Sequence, residues 1–493
     1  MKQAYNPFLP LSEYIPDGEP HVFGDRVYLY GSHDKEGGST FCMLDYTVYS
    51  APVSDLADWR CEGVSYSAKQ DPLYGQNRKY LYAPDVVRGN DGRYYLYYCL
   101  AGKDAADGYL NPVSVAVSDS PAGKFSYLGV VKDASGAPYT KHFMFDPALI
   151  NDGGVIRLYA GTCFPFRDLY ADVEKRAQLD AFLKQLFRRE DMDAEKLFAL
   201  DGAYTCTLAD DMMTMTSQMR RITPVYAAGT SWEKHPFFEA SSIRKIGEKY
   251  YFIYSSSHMH ELCYAVSDHP DRGFEVRGTL VSNGDIGYEG RAEKDKVCMT
   301  GNNHGSIEKI GGKWYVFYHR HTHASSYSRQ ACAEEIDILP DGTIPQVRMT
   351  SCGLNGGPLE AEGSYPAAIA CVLTDGNMPM AGNGKVKGKI PYITHDKTDR
   401  YIAAISGGTM VGFRSFLFKR DVIIYLKVRG TIKGEIVFSD DFGELFRAAA
   451  ELDSLSWQKL AFPCSLRGEH SIYFTFRGRG RMDLSSVQFQ SET

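Results

Sequence analysis

No stretch of this 493-residue chain is apolar for long enough to span a bilayer. Its first eleven residues, Met1 to Leu11, are polar and Pro-containing, without the basic start or the apolar run of a secretory leader. These absences make a cytoplasmic protein the expectation. Basic runs are missing as well. The formal charge is −7, and Lys and Arg are not clustered, so neither nucleic acid nor an anionic membrane is expected as a partner, since both are bound chiefly through clustered cations. Eleven cysteines, an odd number without CxxC or short zinc spacing, fit reduced buried thiols better than a disulfide framework.

The length is ample for two domains with full cores, and 44% hydrophobic with 23% charged residues is ordinary for a globular chain. The abundance lies in the aromatics. Tyr (34) outnumbers Phe (26), which suits strand-rich folds and also sites that stack sugar rings; strand propensity accounts for most of these tyrosines.

One pattern recurs. At Phe237 to Tyr254 an acid, Glu239, heads a short apolar strand, a Gly-containing turn follows, and an aromatic strand returns. Four further copies begin at Asp17, Asp85, Asp146 and His304, with turns at Gly24-Asp25, Asn90-Asp91-Gly92, Asp152-Gly153-Gly154 and Gly311-Gly312. Successive starts lie 68, 61, 93 and 65 residues apart. A four-stranded unit repeated five times at such a period is the signature of a five-bladed propeller. The long interval holds Asp172 to Phe198, where Val173, Ala177, Leu179, Phe182, Leu183, Leu186 and Phe187 recur at helical spacing, so a helical insertion is expected after the third inner hairpin.

Inner strands of a propeller line its axis, so Asp17, Asp85, Asp146, Glu239 and His304 should face one another at one end of it. Crowded carboxylates raise one another's pKa values and are costly unless they serve chemistry or a cation. Exposed loop acids would not recur at equivalent positions.

A Gly-rich stretch, Cys352 to Pro358, breaks the pattern. The expected division is therefore a propeller over 1–352, a linker over 353–359 and, over 360–493, short alternating strands such as Val422–Val428, Gly434–Phe438, Gln458–Phe462 and Ser471–Phe476 that read as an antiparallel, jelly-roll-like sandwich. The fold class is all-β. The second domain has no clustered acids, so packing or ligand binding is its expected role.

The run Asp17-Gly-Glu-Pro-His-Val-Phe-Gly-Asp-Arg-Val-Tyr-Leu-Tyr-Gly-Ser-His-Asp, with Tyr82-Ala-Pro-Asp85, Phe145-Asp146-Pro147, Phe238-Glu239-Ala240 and Asn303-His304-Gly305, resembles glycoside hydrolase family 43 over residues 1 to about 350. That resemblance implies an inverting glycosidase acting on terminal β-D-xylosyl or α-L-arabinofuranosyl residues of oligosaccharides, with Asp17 as general base, Glu239 as general acid and Asp146 as the carboxylate that tunes the acid. It places Arg329 in the pocket on substrate hydroxyls. His33, Asp34, Tyr82, Asp85 and Phe145 are expected to shape or wall the same pocket, and His304 matches a central histidine that lies beside a calcium ion or a water, or hydrogen-bonds across the blades. Gly18 stands where many relatives have Pro, which leaves Glu19 as a rival for the base. His319, His321 and His323 alternate along a strand, but no acid or Cys lies at zinc-ligand spacing from them. The C-terminal part resembles the sandwich of carbohydrate-binding module family 6. A retaining propeller of the invertase type is disfavoured by the absence of an Asn-Asp-Pro-Asn nucleophile context; a non-catalytic sugar-binding propeller is the alternative from another class.

Overall fold

The structure is a computed structural model and describes residues 3–75, 77–105, 107–164, 173–187, 189–381 and 390–491. Five antiparallel sheets follow one another along the chain. Blade I comprises Glu19–Phe23, Arg26–Tyr30, Tyr46–Pro52 and Arg60–Tyr66; blade II comprises Tyr80–Arg88, Tyr94–Ala101, Ser114–Ser118 and Ser126–Val130. Blade III holds Ala148–Asp152, Val155–Thr162, Gly202–Leu208 and Arg220–Arg221, and blade IV holds Phe237–Ile246, Lys249–Ser256, Glu261–Ser267 and Glu275–Ser282. Each expected inner hairpin is present. The glycine turns do the work assigned to them: Gly24, Gly92, Gly153, Gly247 and Gly311 all adopt positive φ.

Blade V departs from the expected four strands. Among the described residues it has three, Ser306–Ile310, Lys313–His321 and Arg329–Ile336. Asn6 and Phe8 lie along the outer one: Phe8 N donates to Ala331 O (3.3 Å), Ala333 N donates to the Asn6 side-chain oxygen (3.0 Å), and Asn6 Nδ2 donates to Ala333 O (2.8 Å). Leu9 and Ile15 pack in one apolar cluster with Val27, Leu29, Ile310 and Phe317. The N-terminal segment thereby seals blade V against blade I, a pairing that no local pattern announces.

The insertion is helical: α1 (Val173–Phe187) and α2 (Ala194–Leu200), the second capped by Asp193, whose side chain accepts from Lys196 N (2.8 Å). Leu179, Leu183, Phe187 and Leu197 pack on Phe143 and Phe164 at blade III. Asp172, the expected start of the helical stretch, lies outside the described residues.

From Leu359 onward nine strands form the sandwich-type C-terminal part, antiparallel except for the short parallel pairing of Leu359–Glu360 on Met410–Phe418, enclosing Ile405, Phe413, Phe416, Ile424, Phe474 and Leu484. The short strands read from the sequence merge into three long ones, Val422–Asp440, Gly443–Cys464 and Gly468–Ser491. Register shifts and glycines, not turns, interrupt the alternation there: Gly430 and Gly480 take positive φ within continuous strands. The stretch expected as a linker is packed, with Leu354 and Leu359 buried. Tyr473 joins Tyr251, Tyr264 and Tyr318 of the propeller in one cluster, and Arg414 pairs with Asp285 at the centre of that contact.

Candidate active site

The residues heading the inner strands have unusual backbone. Asp17 and Asp146 adopt φ of 58° and 48°, and Ala240, next to Glu239, adopts 68°. Left-handed backbone at a non-glycine residue is uncommon and clusters at functional sites; Asp tolerates it better than most. At Glu239 the strand also bulges, with register shifts between Phe237, Glu239 and Ser242. The bulge turns the side chain out of the ladder.

These distortions bring Asp17, Asp146, Glu239 and His304 together. The His304 Nδ1 atom lies 3.8 Å from Asp17 Oδ1 and 3.8 Å from Asp146 Oδ2. Asp146 Oδ2 accepts from Ala240 N at 2.9 Å, which ties the head of blade III to the residue after Glu239. Asp17 Oδ1 accepts from Arg329 Nη1 at 2.8 Å and lies 3.4 Å from His319 Nδ1. Asp17, Asp146, His304 and Arg329 are all buried.

Burial sets the protonation. It raises Glu239 to about 8, and the Asp17 charge adds to the effect while Arg329 opposes it. Asp146 is pushed well up by burial and then by Glu239 and Asp17. Burial lowers His304 to about 4 and His319 further, so both rings are neutral at pH 7.

Arg329 is anchored from behind. Its Nε and Nη2 atoms donate to the two oxygens of Asp34 at 2.8 and 3.0 Å, and its guanidinium lies 4.8 Å from the Phe41 ring centroid. Asp34 is thus the partner of Arg329 and sits 1% exposed.

The remaining expected residues sit as follows. His33 turns its ring nitrogens to Asp45 O (3.0 Å) and Glu13 Oε2 (3.3 Å). Tyr82 and Phe145 are buried ring neighbours, with centroids 5.6 Å apart, in a cluster with Cys42 and Cys99. Asp85 accepts from His21 Nε2, Val86 N and Leu149 N, each at 2.6 Å, and so links blades I, II and III. Glu19, the rival base, is committed elsewhere: it accepts from Arg244 Nη2 at 3.1 Å, and Arg244 also reaches Glu308. His319, which the sequence offers only as a zinc-ligand candidate, lies 3.4 Å from Asp17 Oδ1. It sits on the return strand of His304's own hairpin, and its place beside Asp17 follows only from setting blade V against blade I.

Around the His304 ring the protein offers one oxygen each of Asp17 and Asp146; calcium takes six to eight oxygen ligands, so an ion beside this ring would draw most of its shell from water.

A propeller whose axis carries a half-buried, proton-holding carboxyl opposite a second carboxyl held by an arginine defines a hydrolase of glycosidic bonds. The family model for glycosyl hydrolases family 43 matches residues 5–163. A xylosidase/arabinosidase of Thermoclostridium stercorarium is 42% identical over 503 residues, covering 98% of each chain. A xylosidase/arabinosidase of Bacteroides ovatus is 30% identical over 327 residues, covering 63% of this chain and 87% of the relative. Among solved structures, a family 43 β-xylosidase/α-arabinofuranosidase from a compost microbial metagenome, in complex with xylotriose in a calcium-free form, aligns with TM-score 0.51 and 25% identity over 71% of this chain and 98% of that one. The chain belongs to glycosyl hydrolases family 43.

Proposed function

We propose that this glycoside hydrolase removes terminal β-D-xylosyl or α-L-arabinofuranosyl residues from short oligosaccharides with inversion at the anomeric carbon. The observation that carries the reading is the division of labour at the axis: Glu239 keeps its proton to about pH 8, while Asp17 is held 2.8 Å from the Arg329 guanidinium. In this reading Glu239 donates its proton to the glycosidic oxygen as the bond to the anomeric carbon breaks. Asp17 takes a proton from a water that attacks the same carbon from the opposite face. The sugar leaves inverted, Glu239 ends as carboxylate and Asp17 as acid, and exchange with solvent resets both. Asp146 holds the Ala240 amide and thereby the direction of Glu239, a positioning role. The names of the Thermoclostridium stercorarium and Bacteroides ovatus relatives support pentosides as substrates.

The test is hydrolysis of nitrophenyl β-D-xyloside and nitrophenyl α-L-arabinofuranoside with the anomer first released followed by NMR. Inverted sugar is the expected product. Retained configuration would sink the mechanism, and binding of pentosides without turnover would favour a sugar-binding propeller instead.

A further inference from the structure

The strands Tyr392–His395 and Arg400–Ser406 form a hairpin of the C-terminal part that reaches the propeller at the end where the carboxylates converge. Its contacts are with loops of that end: Ile393 N donates to Thr322 O (2.9 Å), and His323 Nε2 lies 3.2 Å from Thr394 Oγ1. Both propeller residues belong to the loop that runs into Arg329.

The strongest contact is on the neighbouring loop. Arg400 donates from Nη1 and Nη2 to the two oxygens of Glu36 at 2.8 and 2.9 Å, a two-pronged ion pair whose side chains are 14% and 16% exposed. Such a pair fixes orientation as well as distance. Glu36 Oε1 also accepts from the Tyr14 hydroxyl (2.8 Å), and Arg400 Nη1 donates to that hydroxyl (3.0 Å). Tyr14 is 1% exposed.

Two short stretches of backbone therefore run from this knot to the base. Tyr14 precedes Asp17 by three residues, and its carbonyl accepts from Asp34 N at 2.9 Å. Glu36 follows Asp34 by two, and Asp34 grips Arg329, which grips Asp17. Both routes to Asp17 start within three residues of the Arg400–Glu36–Tyr14 knot.

We infer that Arg400 is a positioning residue of the active site: by holding Glu36 and Tyr14 it sets the loop from which Asp34, and through it Arg329, fixes the direction of the Asp17 carboxylate. The C-terminal part is then a component of the catalytic apparatus, independent of any sugar it binds. This rests on the assignment of Asp17 as base. Displacement of a reacting group by about 1 Å costs on the order of 100-fold in rate, and a supporting pair outside the pocket acts on turnover through such displacement.

The experiment compares wild type with Arg400→Ala, Arg400→Lys, Glu36→Gln and the Arg400→Ala/Glu36→Gln double variant on the nitrophenyl pentosides, with Arg348→Ala as control. Arg348 pairs with Asp441 at 3.1 Å across the same two parts of the chain, away from this knot, so it reports mere tethering. The expected result is a fall in kcat of about 10- to 100-fold for Arg400→Ala and Glu36→Gln with KM within roughly threefold, partial recovery in Arg400→Lys, no further loss in the double variant, and kcat of Arg348→Ala within about twofold of wild type. Unchanged kcat in folded Arg400→Ala, or losses that add in the double variant, would overturn the inference. A crystal structure of Arg400→Ala reads the same point without substrate: Arg329 displaced from Asp34 or Asp17 supports it, and both contacts retained at their present distances refute it. A wild type that turns over neither pentoside counts against the proposed activity, and the crystal structure still decides the clamp.

Discussion

The Arg329 Nη1 atom lies 2.8 Å from Asp17 Oδ1 while the rest of the same guanidinium is locked on Asp34. One planar cation thus spans two buried carboxylates. Lysine offers a single ammonium and cannot bridge both. Arg329→Lys is expected to lower kcat/KM by about 100-fold or more, with a folded protein by circular dichroism. A loss of less than about fivefold would show that the bridge does not orient Asp17.

Glu239 and Asp17 are expected to part in their dependence on the leaving group. A departing nitrophenolate needs little protonation, whereas a departing sugar hydroxyl needs a full proton. Glu239→Gln should lose about 10²–10⁴-fold on xylobiose or arabino-oligosaccharides and far less on the nitrophenyl glycosides. Asp17→Asn should lose activity on both alike. Equal sensitivity of the two variants to leaving group would remove Glu239 from the role of acid.

The pH profile follows from the proton that burial keeps on Glu239. The acid form is required, so kcat/KM should fall as pH rises through about 8. A descending limb centred below pH 6 would show that the free enzyme's acid is not held up.

Stability should also fall with rising pH through the same residue. Folded Glu239 retains its proton to about pH 8, whereas the unfolded carboxyl releases it near the ordinary glutamate value of 4.5. Between those values the unfolded state binds fewer protons, and stability falls as pH rises. Glu239→Gln removes that dependence, so its Tm should exceed that of wild type at pH 8, with the gap narrowing toward pH 5. Differential scanning calorimetry across this range checks the sign.

A Cβ at Gly305 would sit 1.8 Å from the Phe317 carbonyl oxygen. Gly305→Ala, next to His304, is therefore expected to cost about 2–4 kcal/mol in denaturant unfolding, and a neutral result would show that the two strands separate there at little cost.

Much of the fold could be read from local pattern because each inner hairpin is short, alternates cleanly and turns on glycine. Asp17, Asp146, Glu239 and His304 share a position in the repeat, so the same reading places them at one end of the axis. Relations between blades were beyond it. His319 beside Asp17, Arg244 between Glu19 and Glu308, and Arg400 on Glu36 join residues 225 to 364 positions apart or on neighbouring blades, and hydrophobic alternation says nothing about which polar end meets which. Tyr82 and Phe145, read as pocket wall, are buried ring neighbours with centroids 5.6 Å apart.

The seam made by Asn6 and Phe8 on blade V joins residues 323 or more positions apart. During synthesis Asp17 is made long before blade V, and the seam cannot close until nearly the whole propeller exists, since the entropy of closing so long a loop is repaid only by contacts at its two ends. Catalytic competence should therefore arrive late and all at once during synthesis. Partial chains, whatever blades they have formed, would carry the acids without an enzyme.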